Sequence, residues 1–308
     1  MRGQNWWCRI GLVMCIVASV GIVSGCEFNM DNLKNNSQVK ATQNDSEKEI
    51  WRVYRFYLAA TNEFNFNNVK YAKQYRETME RAEQNLPLSE FKIKDYERLE
   101  LDLIAAREAG KSHSDLEAAT DALLPILHEV VGVVKELDVY YEEKRYETDN
   151  YAFSQEKLGQ LSSLIEAFRD QYDVVDSIVN TYHKQEGKRL AELMRTNGQV
   201  NGASMVEMMI VYSDIVDHIL ENGKDSDLQW VKSQKDIADT LGAQINAPEA
   251  QNRLDQKKNL DKAIDAFISH PSHKMENTIV EEYNELVARP VNFKLLDNVQ
   301  KPYVPEKL

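Results

Sequence analysis

The chain has 308 residues, and 37 Lys and Arg against 50 Asp and Glu give it a formal net charge of -13. Such a carboxylate excess disfavours phosphate backbones and anionic lipid surfaces, so we expect no nucleic-acid partner. All three cysteines, Cys8, Cys15 and Cys26, lie in the first 26 residues. The remainder of the chain therefore has no thiol for a disulfide framework or a thiolate metal site.

The first 25 residues have the three-part plan of a secretory signal. Arg2 and Arg9 are positive, residues 10–23 are almost wholly apolar, and the dipeptide Ser24-Gly25 is small. Fourteen apolar residues fall short of the about 20 that a membrane-spanning helix needs. The pattern predicts a signal peptide that is removed from the mature protein.

The end of this segment, Val23-Ser24-Gly25-Cys26, resembles the lipobox of bacterial lipoproteins. In those proteins the cysteine receives diacylglycerol, the signal is cut before it, and the new amino terminus is acylated. The resemblance implies that Cys26 is lipidated and that the lipid is a membrane partner of the chain. Glu27 is not the aspartate typical of inner-membrane retention, which implies the periplasmic face of the outer membrane. The alternative is an exported protein with an ordinary thiol.

A polar segment follows the lipobox. It is rich in Asn, Gln, Ser, Asp and Lys and has no apolar period, which predicts a disordered tether over residues 26–45. Flexible coil of about 20 residues spans roughly 25 Å. We expect residues 46–308 to form one helical domain, although this length also suits two smaller cores.

Helical patterns dominate the chain after Ser46. Four Ser-x-x-Glu/Gln sequences predict capping boxes, Ser46 with Glu49, Ser114 with Glu117, Ser204 with Glu207, and Ser226 with Gln229. Apolar faces follow the first and third boxes, at Ile50, Val53, Tyr54, Tyr57 and Leu58, and at Met205, Met208, Met209, Tyr212, Ile215, Val216 and Ile219. We expect the three methionines to fill the core, the alternative being a copper-binding cluster.

Two long apolar seams have matching spacing, with offsets of 0, 3, 7, 10, 14, 17, 21 and 24. The first comprises Leu116, Ala119, Leu123, Ile126, Val130, Val133, Leu137 and Tyr140, and the second Leu158, Leu161, Ile165, Phe168, Tyr172, Val175, Val179 and Tyr182. A spacing of 3.5 residues suits long helices that pack at a shallow angle, as in coiled coils. Equal lengths and a short connection favour an antiparallel hairpin, with a kink at Pro125.

Breaks in the pattern divide the later helices. Turn signals occur at Asn197-Gly198, Asn201-Gly202 and Asn222-Gly223, and further breaks at Pro248, Pro271 and Pro290. No strand alternation is sustained, so the predicted fold is all-α, an elongated helical bundle that contains the long antiparallel hairpin.

A tyrosine cluster interleaved with charges marks one end of the hairpin. Its candidate binding residues are Tyr140, Tyr141, Tyr146, Asp149 and Tyr151. Tyrosine combines contact area with a polar tip, which suits a glycan or a protein partner. The alternative is that these rings cap the bundle.

The sequence from Asp138 to Asn150, followed by a long helix, resembles the YiiG-like family of bacterial lipoproteins. The stretch Tyr283-Asn284-Glu285-Leu286-Val287, with Asn292 downstream, is similar to a later element of that family. An aromatic first helix over residues 51–67 also fits. The resemblance covers about residues 48–298 and implies a lipid-anchored, mainly helical envelope protein, with no catalytic residues to carry over.

Metal ligands are incomplete in the sequence. His270 and His273 with Met275, and Asp214 with His218 four residues later, are the candidate sets, and neither completes a site. We therefore expect no metal and no cofactor.

Catalytic motifs that can be recognised from sequence, such as Gly-x-Ser-x-Gly or His-Glu-x-x-His, do not occur. We expect a lipid-anchored, non-catalytic module that binds or scaffolds an envelope protein or glycan. Two alternatives stay open, a cell-wall glycan hydrolase with a carboxylate pair and a periplasmic metal-binding protein.

Overall fold

The computed structural model describes residues 43–289, 291–293 and 295–297. This part of the chain contains ten α-helices and no β-strand, which confirms the all-α prediction. The helices are α1 (Gln43–Lys70), α2 (Ala72–Glu83), α3 (Tyr96–Glu108), α4 (Ser114–Glu142), α5 (Tyr146–Asp149), α6 (Ala152–Thr196), α7 (Val200–Asn222), α8 (Leu228–Ala243), α9 (Gln251–Ser269) and α10 (His273–Ala288). Short 3-10 turns at Gly223–Asp225 and Pro248–Ala250 precede α8 and α9.

The described chain divides into two compact units, whereas the sequence predicted one helical domain over residues 46–308. The first unit covers residues 47–182, and the second contains residues 183–297. The boundary falls inside α6, and each unit has its own buried core.

The predicted signal peptide and the lipobox with Cys26 lie outside the described residues, as do Pro290 and most of the tether. The described part of the first helix begins at Gln43, three residues before the predicted domain start at Ser46. Ser46 is therefore inside α1, and the prediction that it caps this helix is wrong.

In the first unit, the predicted apolar face of α1 is buried. Val53, Tyr54 and Tyr57 are fully buried, and the Tyr54 hydroxyl donates to the backbone carbonyl of Val179, 2.8 Å away. Further along α1, Phe64 packs edge-on against other buried aromatic rings of this unit. Aromatic packing therefore joins α1 to α6.

The predicted antiparallel hairpin consists of α4 and the first part of α6. Three contacts run along it, Asp115 with Tyr182, Ala119 with Gln171, and Glu136 with Lys157. As the residue number on α4 increases, the residue number of the partner on α6 decreases, so the two helices run in opposite directions. Both seams are buried except at Ile126, Leu158, Ile165 and Tyr182, which are partly exposed. Pro125 lies inside α4, which continues past it to Glu142.

In the second unit, α7 contributes much of the core. Every residue of its predicted apolar face is buried, and Met205, Met208 and Met209 are at most 1% exposed. The methionines are therefore core residues. The same apolar cluster includes side chains from the end of α6, from α8 to α10, and Val291, Phe293 and Leu296 from the segment after α10.

The other three predicted capping boxes are also wrong in detail. His113 is the residue before α4, and the Glu117 carboxylate accepts from the backbone N–H of Ser112 rather than that of Ser114. Asp227, not Ser226, caps α8, and its carboxylate accepts from two backbone amides of the first turn. An aspartate one residue later reaches the Gln229 amide, which Ser226 was predicted to bond, and does so with a charged acceptor.

Ser204 lies within α7 and is fully buried, so it does not start a helix. Its hydroxyl donates to the Gln244 side chain, and Glu207 pairs with Arg195. Both members of this predicted capping box therefore bond other side chains instead of capping a helix.

The turn signals at Asn197-Gly198 and Asn222-Gly223 mark the two ends of α7, with Gly198 and Gly223 at positive φ. The predicted turn at Asn201-Gly202 is wrong, because both residues lie in the first turn of α7. Asp297 explains the difference. Its carboxylate accepts from the backbone N–H groups of Asn201 and Gly202, 2.9 and 2.8 Å away.

Asn201 also bonds two other segments of the second unit. Its side chain donates to the Leu296 carbonyl and accepts from the backbone N–H of Asn246. A Cβ at Gly202 would lie 3.3 Å from the Asp297 carboxylate, so the close approach favours glycine there. These two residues serve a tertiary junction, not a turn.

Candidate functional site

The tip of the hairpin, which we define as residues 135–157, is where the sequence placed the candidate tyrosine surface. Tyr140, Tyr141 and Tyr146 are buried, whereas Tyr151 is only half-buried. The three buried rings pack against one another, with centroid distances of 5.3 to 6.5 Å. The structure therefore places these rings in the interior, and they do not themselves form an open surface.

Asp149 organises the backbone of the tip. Its carboxylate accepts from the Tyr140 hydroxyl at 2.6 Å and from the backbone N–H groups of Tyr151 and Phe153 at 3.0 and 3.1 Å. The Tyr140 hydrogen bond, with those from the backbone, lowers the pKa of Asp149. Burial and the neighbouring carboxylate raise the pKa of Tyr140. The pair therefore consists of a neutral phenol and an ionised carboxylate.

The tip backbone adopts the left-handed conformation at three positions without glycine. Lys144, Asn150 and Tyr151 have φ of 55, 51 and 65°. Asparagine tolerates this region, whereas tyrosine rarely adopts it. The hydrogen bond from the Tyr151 amide to Asp149 holds the strained residue in place.

An open groove of about 510 Å³ runs across the tip. Its lining consists of Lys135, Glu136, Val139, Arg145, Phe153 and Lys157. Val139 is 42% exposed although it is aliphatic. The Phe153 ring stacks on the buried Tyr140 ring, with centroids 5.1 Å apart and planes 29° apart. Tyr140 thus supports the aromatic part of the lining.

Three cations of the lining are paired with carboxylates of the same chain. The pairs are Lys135 with Glu97 at 2.7 Å, Lys157 with Glu136 at 2.5 Å, and Arg145 with Glu143 at 2.8 Å. Each carboxylate partner is more than half exposed. Solvent weakens such pairs, so the cations can exchange their partners. The Lys157 ammonium also lies 5.6 Å from the centroid of the Phe153 ring.

Sequence reasoning placed the candidate surface on the tyrosines and missed most of the groove. A usable signal was Val139, an apolar residue of α4 that does not belong to the seam. Phe153, Lys135 and Lys157 carry no comparable signal, because their contribution depends on how the two arms of the hairpin are aligned.

The other residues that carry the resemblance to the YiiG-like family lie in the second unit. Tyr283 is buried in α10 as part of the apolar core, and Asn284 is half-buried. Asn292 is exposed in the segment after α10. The structure gives Tyr283 a packing role.

The predicted metal candidates have other partners. The His273 ring lies 2.8 Å from the Glu276 carboxylate, and His270 is exposed after the end of α9. Asp214 pairs with Lys184 at 2.6 Å.

His218 accepts from the backbone N–H of Asp227 at 3.1 Å. Among the described residues, no group of three or more His, Cys, Asp or Glu side chains is arranged to hold a metal ion. None of the helices in that part of the chain has the length and apolar composition of a membrane span.

No family model, curated protein or solved structure matches the chain. The resemblance to the YiiG-like lipoproteins therefore stays a prediction from the motifs quoted above.

Proposed function

We propose that this protein is a lipid-anchored component of the bacterial cell envelope, a YiiG-like lipoprotein that binds or scaffolds an envelope partner through the groove at its hairpin tip. The observation that carries the binding role is the lining of that groove. It combines two apolar groups, the exposed Val139 and the half-buried Phe153, with cations that have exchangeable partners.

Apolar anchors surrounded by polar groups are typical of binding interfaces. Exposure of the Val139 side chain to water is unfavourable, since burial of apolar surface stabilises by about 25 cal/mol per Å². The groove is also firmly supported, because Phe153 rests on Tyr140 and the Asp149 carboxylate holds the adjoining backbone. A supported surface loses little conformational freedom on binding.

The anchor is proposed from the lipobox at Val23 to Cys26. Mass spectrometry of the mature protein tests it directly. We expect the amino-terminal peptide to begin at Cys26 and to carry diacylglycerol and an amide-linked acyl chain. Cys26→Ser should retain residues 1–25 and lack the lipid. An intact signal segment or an unmodified Cys26 in the wild-type protein would refute the anchor.

The binding role is tested by crosslinking in intact envelopes. Val139→Asp places a charge on the exposed apolar part of the groove, and we expect loss of a stoichiometric crosslinked partner. Val174→Asp is the matched control, because Val174 is also exposed on the same hairpin, at 46%. Lys157 and Val174 are both on α6, about 26 Å apart at 1.5 Å per residue. Equal crosslinking by both variants would contradict the proposal.

A further inference from the structure

We infer that Asn201 becomes a deamidation site when the segment after α10 (291–293 and 295–297) detaches, and that the reaction product prevents this segment from binding again. The segment contains Asp297, whose carboxylate bonds the start of α7 in the folded protein. The reaction needs only water as a co-reactant, and it depends neither on the proposed anchor nor on the groove.

Asparagine followed by glycine is the pair of residues at which deamidation is fastest. The backbone nitrogen of the glycine attacks the side-chain amide carbon of the asparagine and closes a succinimide ring, and the amide nitrogen leaves as ammonia with the proton of the attacking group. Water then opens the ring to aspartate or isoaspartate. Glycine favours the attack because no Cβ crowds its nitrogen. The chain has three such pairs, Asn197-Gly198, Asn201-Gly202 and Asn222-Gly223.

At Asn201, hydrogen bonds hold both groups that would react. The attacking nitrogen, that of the buried Gly202, donates to the Asp297 carboxylate at 2.8 Å. The Asn201 side-chain nitrogen donates to the Leu296 carbonyl and to Asp297, 2.9 Å from each, and the side-chain oxygen accepts from the Asn246 amide at 2.7 Å. While these bonds exist, the side chain cannot rotate towards the glycine nitrogen.

The other two pairs are held only by local bonds. Asn197 and Asn222 are exposed, and the side-chain nitrogen of each donates to the backbone carbonyl four residues earlier. The glycine amides that follow them bond carbonyls of the adjoining helical turn. Fraying of one helix end breaks such bonds. Asn201 instead requires the loss of contacts to residues 95 and 96 positions away.

Deamidation of Asn201 converts a donor into an acceptor. A carboxylate only accepts, so an aspartate at this position places an acceptor oxygen against the Asp297 carboxylate and the Leu296 carbonyl. Two hydrogen bonds are lost and two negative charges meet. Isoaspartate also inserts a methylene group into the backbone of the first turn of α7. Either product disfavours the return of the segment, whose Phe293 and Leu296 side chains are buried in the folded protein.

Peptide mapping by mass spectrometry tests the protection of Asn201. The full-length chain in detergent micelles is incubated at mildly alkaline pH, either folded or in urea. In the folded protein we expect Asn201 to react at least about tenfold more slowly than Asn197 and Asn222. In urea the three rates should be similar, because the tertiary contacts are absent.

Asp297→Ala tests the role of the carboxylate. The substitution removes the acceptor of the Gly202 amide, so we expect the Asn201 rate in the folded protein to rise by about tenfold. The matched control is Asp225→Ala, an exposed aspartate of the same unit, which should leave the rate unchanged. If Asp297→Ala does not fold, Asp297→Asn provides the same test, because it keeps the shape of the side chain and loses one acceptor.

A second pair of variants tests the effect of the product. Asn201→Asp has the side chain of one product, and we expect chymotrypsin to cleave after Phe293 about tenfold faster than in the wild-type protein. Asn197→Asp is the control and should not change this rate. Circular dichroism checks that each variant retains its helices.

Three outcomes would overturn the inference. In the first, Asn201 and Asn197 react at comparable rates in the folded protein. In the second, the Asn201 rate does not respond to the substitution of Asp297. In the third, cleavage after Phe293 is unchanged in Asn201→Asp, which would show that the segment binds again after the reaction.

Discussion

Tyr140 shows how one side chain joins the fold to the candidate site. It is 1% exposed, it ends the first seam, and its ring supports Phe153 from within. Its hydroxyl donates to Asp149, whose carboxylate fixes the backbone where α6 begins. The tyrosine therefore contributes to the groove by positioning other groups rather than by exposing its own ring.

Tyr140→Phe tests this role. We expect the free energy of unfolding to fall by about 1 kcal/mol, because the substitution removes one hydrogen bond and retains the ring. Urea denaturation followed by circular dichroism measures the change. Tyr146→Phe is the control, since the structure shows no hydrogen bond from that hydroxyl to a described residue. A loss of equal size in both variants would argue against a specific role for the Tyr140 hydroxyl.

Among the helices, the seams of the hairpin were predictable because a spacing of 3.5 residues depends on local geometry alone. The helix starts were predicted less well. Ser204 fits the capping pattern but is buried inside α7, where Gln244 accepts from it. Asn201-Gly202 fits a turn but begins a helix whose amides bond Asp297. Such partners lie tens of residues away, so local patterns do not contain them.

The groove could not be predicted from the sequence for a related reason. Its lining comes from both arms of the hairpin, and the alignment of Val139 with Phe153 depends on the conformation of the connection between them. That connection contains Asn150 and Tyr151 in the left-handed region. A tyrosine at positive φ is too uncommon to be expected from sequence.

The glycines of α6 provide a test at the scale of the element. A Cβ at Gly187 would lie 2.9 Å from the Cδ1 atom of Ile210 on α7, whereas a Cβ at Gly159 would meet nothing within 4 Å among the described residues. We expect Gly187→Leu to lower the free energy of unfolding by about 1–3 kcal/mol through overpacking.

The control Gly159→Leu should be neutral or stabilise by up to about 1 kcal/mol, because leucine favours helix more than glycine does. Thermal and urea denaturation measure both variants. Adding Ile210→Ala to Gly187→Leu should recover part of the loss. Equal effects at Gly187 and Gly159 would show that α6 and α7 tolerate a wider separation.

At the scale of the whole molecule, acid sensitivity follows from a buried imidazole. His183 is 7% exposed, and its Nε2 atom makes no hydrogen bond to a described residue. Burial lowers its pKa from 6.5 to about 4. The unfolded chain takes up a proton at a higher pH than the folded one, so this group contributes stability above pH 6.5 and the contribution declines as the pH falls towards 4.

We expect His183→Gln to flatten the dependence of unfolding free energy on pH between about 6.5 and 4. The wild-type decline from this group over that range is on the order of 3 kcal/mol. Urea denaturation at a series of pH values measures it. His128→Gln is the control, because His128 is 80% exposed. An unchanged slope in His183→Gln would assign the acid sensitivity to other groups.

The junction at Asn201 has a consequence for biosynthesis. Its hydrogen bonds to Leu296 and Asp297 join positions 95 and 96 residues apart, and loops of this length are slow to close. During vectorial synthesis, the amides at the start of α7 cannot meet their acceptor until residue 297 has emerged. The second unit therefore completes its native structure late, and a nascent chain stalled before that point would expose an unfinished core to proteases and chaperones.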